Sequence, residues 1–184
     1  MQSEKLIATL IEQTKQIISQ SELLLNCDSK DLTWKKDADS WSILECLEHL
    51  NLYGDFYLPE IENKIKNASS KNDAEFKSGF LGNYFAKSML PKQKLNKMKT
   101  FKNKNPLNAK LDKMVIETFI SQQIKLLDLL NQSKNISLNK TKTGISISSL
   151  IKLKLGDTFQ FYINHMIRHM KQIDDIRQSF KITS

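Results

Sequence analysis

The chain has 184 residues, of which 40% are hydrophobic and 26% charged, with only five glycines, three prolines and two cysteines. Such a composition describes a helix-rich globule long enough to bury a core as one domain spanning 1–184, and it excludes fibrous, low-complexity and disulfide-stapled chains. The formal charge of +8 points first at nucleic acid, yet the whole surplus lies between Lys87 and Lys113, where nine lysines stand against one acid, Asp112. That stretch lacks the arginines that read base edges and a series of aromatics for bases to stack on, so a solvated loop is expected and nucleic acid is not an expected partner.

The N-terminal MQSEKLIATLIEQ carries an early glutamate and spaces its apolar residues amphipathically, unlike a signal peptide, and no apolar run is long enough to span a membrane. The cytoplasm is the expected compartment, and Cys27 and Cys46 are too few for a disulfide framework, in keeping with a reducing environment.

The first predicted helix covers 3–25, where Leu6, Ile7, Leu10, Ile11, Ile17, Ile18, Leu24 and Leu25 recur at threes and fours and Ser3 is the expected N-cap. A second covers 42–67 and opens on Ser42-Ile-Leu-Glu45, the pattern of a capping box. Pro59 lies inside it and is expected to kink or break it near Tyr57. Residues 69–108 show no sustained period, and short helical pieces are expected around GFLGNYFAKSML in a stretch that crosses over the bundle. A third helix is predicted over 109–132. After ISISSLIKLK comes Gly156-Asp157, read as a turn with an N-cap aspartate, and a last helix over 158–180. No segment alternates strongly enough to require a sheet, so the expected architecture is all-α, a four-helix bundle with long crossover connections.

Only three histidines occur, His49, His165 and His169, and two of them stand four apart in NHMIRHMKQ. Four residues turn a helix by about 400°, which sets both rings on one line, a geometry suited to a shared metal ion. They fall within or beside the apolar stripe of Phe159, Tyr162, Met166, Met170 and Ile173, and so point inward. His49 lies beside Cys46, Tyr53 and Phe56, to one side of its helix's apolar stripe, which is the rim of the buried face. His49 is seven residues beyond Ser42 and His165 eight beyond Asp157, so all three rings share a level if the second and last helices run parallel.

WSILECLEHL, beginning at Trp41, together with HMIRHMKQI near the C-terminus, resembles the DinB/YfiT-like superfamily of metalloenzymes. The resemblance implies the helical bundle, a divalent metal held by His49, His165 and His169, and a homodimer. Three neutral ligands leave a coordination position open, as catalytic sites do. Zinc and nickel suit imidazoles best, while iron, cobalt and manganese also fit.

The resemblance further implies a reaction class, since relatives include bacterial transferases that join low-molecular-weight thiols such as bacillithiol to electrophiles, and mycothiol-dependent isomerases. The expected partners are therefore a small-molecule thiol and an electrophilic substrate. The alternative is a non-catalytic, stress-associated metal-binding scaffold. Glu45, one turn before His49, is a candidate base, although its capping box already explains it. Arg168, between the paired histidines, is a candidate anchor for an anionic substrate group, and Gln172 a candidate partner for His169. Cys46, Trp34 and Trp41 are read as packing residues.

Overall fold

The structure is a computed structural model that describes residues 1–91 and 100–183, apart from the side chains of 149 and 181–183. Part of the lysine-rich segment, 92–99, therefore lies outside the described residues. Among the described residues there are six α-helices, α1 (Ser3–Leu24), α2 (Ser29–Thr33), α3 (Ile43–Lys66), α4 (Phe80–Ser88), α5 (Met114–Gln132) and α6 (Leu155–Thr183), and one hairpin, β1 (Lys142–Ile145) with β2 (Ser148–Lys154). The four long helices are the four expected from periodicity, and the fold is all-α in character.

Side-chain pairs fix the helix directions. Asn51 donates to the Val115 carbonyl at 3.0 Å, Gln122 to Asp55 at 2.9 Å and Lys125 to Glu62 at 2.7 Å. Numbers rise together on both helices, so α3 and α5 run parallel. A helix of about 36 Å, at roughly 1.5 Å per residue, must then be retraced before α5 can begin, which is why the connection between them is long. Along α3 and α6 the order reverses: Trp41 lies 5.9 Å from His169, His49 5.1 Å from His165 and Tyr57 5.9 Å from Phe161, centroid to centroid. These two helices are antiparallel, against the parallel arrangement supposed for levelling the histidines. The rings still meet, because His49 lies near the start of α3 and α6 runs far past it.

Apolar faces of all four long helices close the core, with Leu10, Leu50, Phe119 and Tyr162 each at most 2% exposed. α4 flanks α6, where Asn164 donates to the Ala86 carbonyl at 2.9 Å and Phe85 lies 6.3 Å from Phe161.

Several local expectations are corrected. α3 continues through Pro59 without a break; burial of Tyr57, Leu58, Ile61 and Ile65 on both sides of the proline outweighs the one backbone bond it removes. The N-cap of α1 is Gln2 rather than Ser3, and α5 begins at Met114, five residues later than expected. The segment ISISSLIKLK forms most of a hairpin, its partners running from Lys142↔Lys154 to Ile145↔Ser148 with an irregularity between Gly144 and Ile145. Thr143, Ile145 and Leu153 face inward, an alternation too short to read against the helical background.

α6 starts at Leu155, so Asp157 is not its cap. Asp157 instead accepts from the Ser78 hydroxyl and, at 2.9 Å, from the Gly79 N–H, fastening the start of α4. Gly82 sits directly above, where an added Cβ would come within 2.4 Å of the Asp157 Cβ. Gly82→Ala is expected to destabilise the protein by about 1–2 kcal/mol, since overpacking costs roughly 1–3 and helix propensity returns only about 1. Urea unfolding of this variant and of the same change in an Asp157→Gly background, which also removes the Cβ that alanine would keep, checks the cause. If the cost persists without the aspartate side chain, the clash is not its origin.

Candidate metal centre

The site begins with the capping box that starts α3. Ser42 Oγ accepts from the Glu45 N–H at 3.2 Å, and Glu45 Oε2 accepts from the Ser42 N–H at 2.8 Å. Both satisfy backbone donors that the first helical turn would leave bare. The other oxygen, Oε1, accepts from Lys35 Nζ at 2.7 Å and from the Asn108 N–H at 2.5 Å. Burial raises the Glu45 pKa, but the bonds from Lys35, Ser42 and Asn108 and the charge of Lys35 outweigh it, and the net shift is downward. This carboxylate is committed to structure at a corner of the molecule beside the histidine cluster.

One turn further on, His49 points into the bundle rather than to its rim, and is 3% exposed. His165 and His169 project from α6 at 5% and 8% exposure. His165 Nε2 lies 3.2 Å from His49 Nε2 and 3.1 Å from His169 Nε2. Tetrahedral zinc with bonds of about 2.0–2.1 Å sets neighbouring ligand nitrogens about 3.3 Å apart, close to both of these pairs, and the three ligand atoms all lie within 4.8 Å of one another.

Protons decide what these contacts mean. His49 Nδ1 is 2.6 Å from the Lys104 carbonyl oxygen, and His169 Nδ1 is 2.9 Å from Gln172 Oε1. Both oxygens accept, so both Nδ1 atoms carry hydrogen, and in a neutral ring each Nε2 is then a bare lone pair. A hydrogen on His165 Nε2 can serve only one of its two neighbours. The other contact is lone pair against lone pair, between side chains no more than 8% exposed. A cation among the three nitrogens removes that conflict, and the two oriented Nδ1–H groups are the outer partners that ligating imidazoles require. The residues fit a divalent ion, and among the described residues these three are the group of metal-ligating type brought together.

Burial keeps the rings in the ligating form. It drives His49 down to about 4, helped by the Lys104 charge and opposed by the Lys104 carbonyl, and drives His169 down to about 3, with His49 and Arg168 adding to the fall and Gln172 opposing it. His165 is also held well below its ordinary value, first by burial and then by His169, His49 and Arg168.

Of the other residues singled out in the sequence, Gln172 is bonded to His169 as expected. Cys46 is fully buried in the apolar core, where burial pushes its thiol up, and it takes no part in the cluster. Arg168 is 6% exposed on the turn between the two α6 histidines. Trp41 does more than pack: its ring lies 4.7 Å from His49 and 5.9 Å from His169. Tyr53 lies 5.0 Å from His49 and 4.7 Å from His165, and burial pushes its hydroxyl up to about 12. Its position four after His49 was a legible sign. The Lys104 carbonyl, 55 residues away in sequence, left none.

A buried trio of inward-facing imidazoles on an antiparallel helix pair defines a helical-bundle protein with a site able to hold a metal ion. The chain belongs to the DinB superfamily, whose profile it matches over residues 19–173, a span containing all three histidines. No curated protein and no solved structure matches it. Among the described residues no helix is long and apolar enough to cross a membrane.

Replacing His165 or His169 by alanine is expected to abolish stoichiometric metal, since two imidazoles rarely hold an ion tightly; full occupancy of the double variant by elemental analysis would reject these ligands. A second expectation concerns the metal-free protein. Histidines of the unfolded chain take up protons near pH 6.5, whereas the folded rings resist until about 4 or lower. Stability is therefore fully present above pH 6.5 and declines as pH falls from there toward 4. Urea unfolding between pH 7.5 and 4.5 measures this, and a flat profile contradicts it.

Proposed function

We propose that this chain is a divalent-metal-dependent enzyme of the thiol S-transferase kind, with zinc or nickel at His49, His165 and His169, acting on a low-molecular-weight thiol and an electrophile. The observation that carries the reading is the convergence of three imidazole nitrogens, two of which belong to rings whose Nδ1 atoms face acceptor oxygens. Such a ligand set contributes no negative charge and leaves the ion a vacant position. An ion held there supplies Lewis acidity that favours the thiolate form of a thiol near neutral pH. In the overall reaction the thiol sulfur bonds to the electrophilic carbon, the thiol proton passes to solvent and the leaving group departs with the electron pair of its broken bond.

The chain's own residues then have defined tasks. Arg168, buried beside His165 and His169, holds an anionic group of the thiol. Trp41 and Tyr53 wall the imidazoles and limit water around the reacting sulfur. Glu45, tied to Lys35, Ser42 and Asn108, holds α3 in place instead of acting as a base. A homodimer accords with the family and is part of the proposal.

Low exposure of all three histidines favours one second reading, a non-catalytic metal-binding scaffold. Arg168→Ala separates the two: under the transferase reading it raises the KM for the thiol more than it lowers kcat, as loss of uniform binding does. The assay uses metal-replete protein with bacillithiol, glutathione, mycothiol and coenzyme A against a panel of electrophiles. Absence of turnover throughout leaves the scaffold as the better description.

A further inference from the structure

The crossover between α3 and α5 does not simply pass the histidines; residues 101–108 are fastened along the first two turns of α3. Asn108 donates through its backbone to Glu45 and accepts at Oδ1 from Lys35 at 3.0 Å. Asn105 Oδ1 accepts from the Trp41 indole N–H at 3.1 Å and from the Leu107 N–H at 3.2 Å. The Lys104 carbonyl meets His49 Nδ1 at 2.6 Å, while its ammonium donates to the Leu52 carbonyl and lies 5.5 Å from the centre of the Tyr53 ring. Contacts thus step from Glu45 to Leu52 on α3 as they step from Asn108 back to Lys104, so the segment runs antiparallel to the helix. Two of its carbonyl-bearing residues, Lys104 and Phe101, are joined in one tight turn, since the Lys104 N–H donates to Phe101 at 2.9 Å.

We propose that residues 101–108 are a positioning element of the metal centre, in which the Lys104 carbonyl orients the His49 ring and Asn105, through Trp41, holds that carbonyl in place. The inference rests on the metal reading above and adds residues that no histidine pattern contains. Its physical basis is that an imidazole is a good ligand only when its second nitrogen is fixed: the N–H···O=C bond selects the tautomer and raises the basicity of the ligating nitrogen. A backbone carbonyl can do this only if its segment is held, and Asn105 is the adjacent residue. Its amide oxygen ties the segment to the same indole that lies tilted against His49 and stacks on His169, so displacement of the segment moves both the acceptor and the cover of the rings. Asn105 and Lys104 touch no reacting atom; they act through His49.

Coupling of this kind is reciprocal: whatever factor the segment contributes to metal affinity, metal contributes to the closure of the segment. Zn2+ is the probe, its affinity read by chelator competition on the full chain. Asn105→Ala, and separately Trp41→Phe, which keeps a stacking ring but loses the N–H donor, are each expected to weaken Zn2+ about tenfold, with helicity by circular dichroism unchanged. The double variant is expected to be no weaker than the single ones, because both remove one link. In the wild type Zn2+ is expected to slow amide exchange at Lys104, Asn105 and Asn108, and in the variants that slowing is expected to be lost by a factor matching the loss of affinity. A purely structural role for Asn105 would lower thermal stability without altering zinc-dependent exchange.

If wild type binds one Zn2+ and both variants bind it equally well, the positioning role is overturned while the metal centre stands. If wild type binds no Zn2+, and no Ni2+ in the same assay, both fall together. Should Asn105→Ala fail to fold, Trp41→Phe alone decides between these outcomes.

Discussion

The constraint on which the rest of this structure turns is the meeting of three imidazole nitrogens within a largely buried space. Two contacts of 3.1 and 3.2 Å cannot both be hydrogen bonds when the outer nitrogens of His49 and His169 already carry the hydrogen. Buried polar atoms facing one another without a shared proton cost free energy, and a chain with a 40% apolar composition could have filled the same space with leucine at no such cost. Retaining three histidines there makes sense as a receptacle for a cation, and the burial that disfavours imidazolium also keeps the rings in the form that ligates.

Topology follows from a second constraint. With α3 and α5 parallel, the chain must return along the bundle before α5 begins, and residues 104–108 of that return lie against the start of α3 beside His49. This alters how the lysine-rich stretch is understood. Lys104 donates to the Leu52 carbonyl, and Lys113 to the Leu25 carbonyl at 2.9 Å, the latter at the C-terminal end of α1, where a cation also meets the negative end of the helix dipole. These two lysines are fastening points, not members of a solvated run, although exposed Lys102 and Lys110 remain true to that expectation.

The same packing explains where local signals were overruled. Pro59 does not break α3, because apolar residues before and after it, Tyr57 and Ile61 among them, are buried in the core. Asp157 carries the chemistry of a cap, but the hairpin before it brings the chain into helix three residues early, and its carboxylate serves α4 instead. In both cases the residue's intrinsic preference is worth a few kcal/mol at most, less than the contacts that compete with it.

By itself the sequence determined the four long helices, since periodicity at threes and fours records which face of each must leave water. It determined the capping box at Ser42 and Glu45, because that motif is complete within four residues. It also determined that His165 and His169 share one line, because a helix fixes the angle between residues four apart. Only the tertiary structure decided that α3 and α6 oppose each other, that His49 is buried instead of at a rim, and that Trp41, Tyr53 and the Lys104 carbonyl surround the rings. Those facts depend on contacts such as Lys104 with His49, 55 positions apart, and Trp41 with His169, 128 apart, and a backbone carbonyl carries no side-chain identity to read; only the path of the folded chain says which imidazole it will meet.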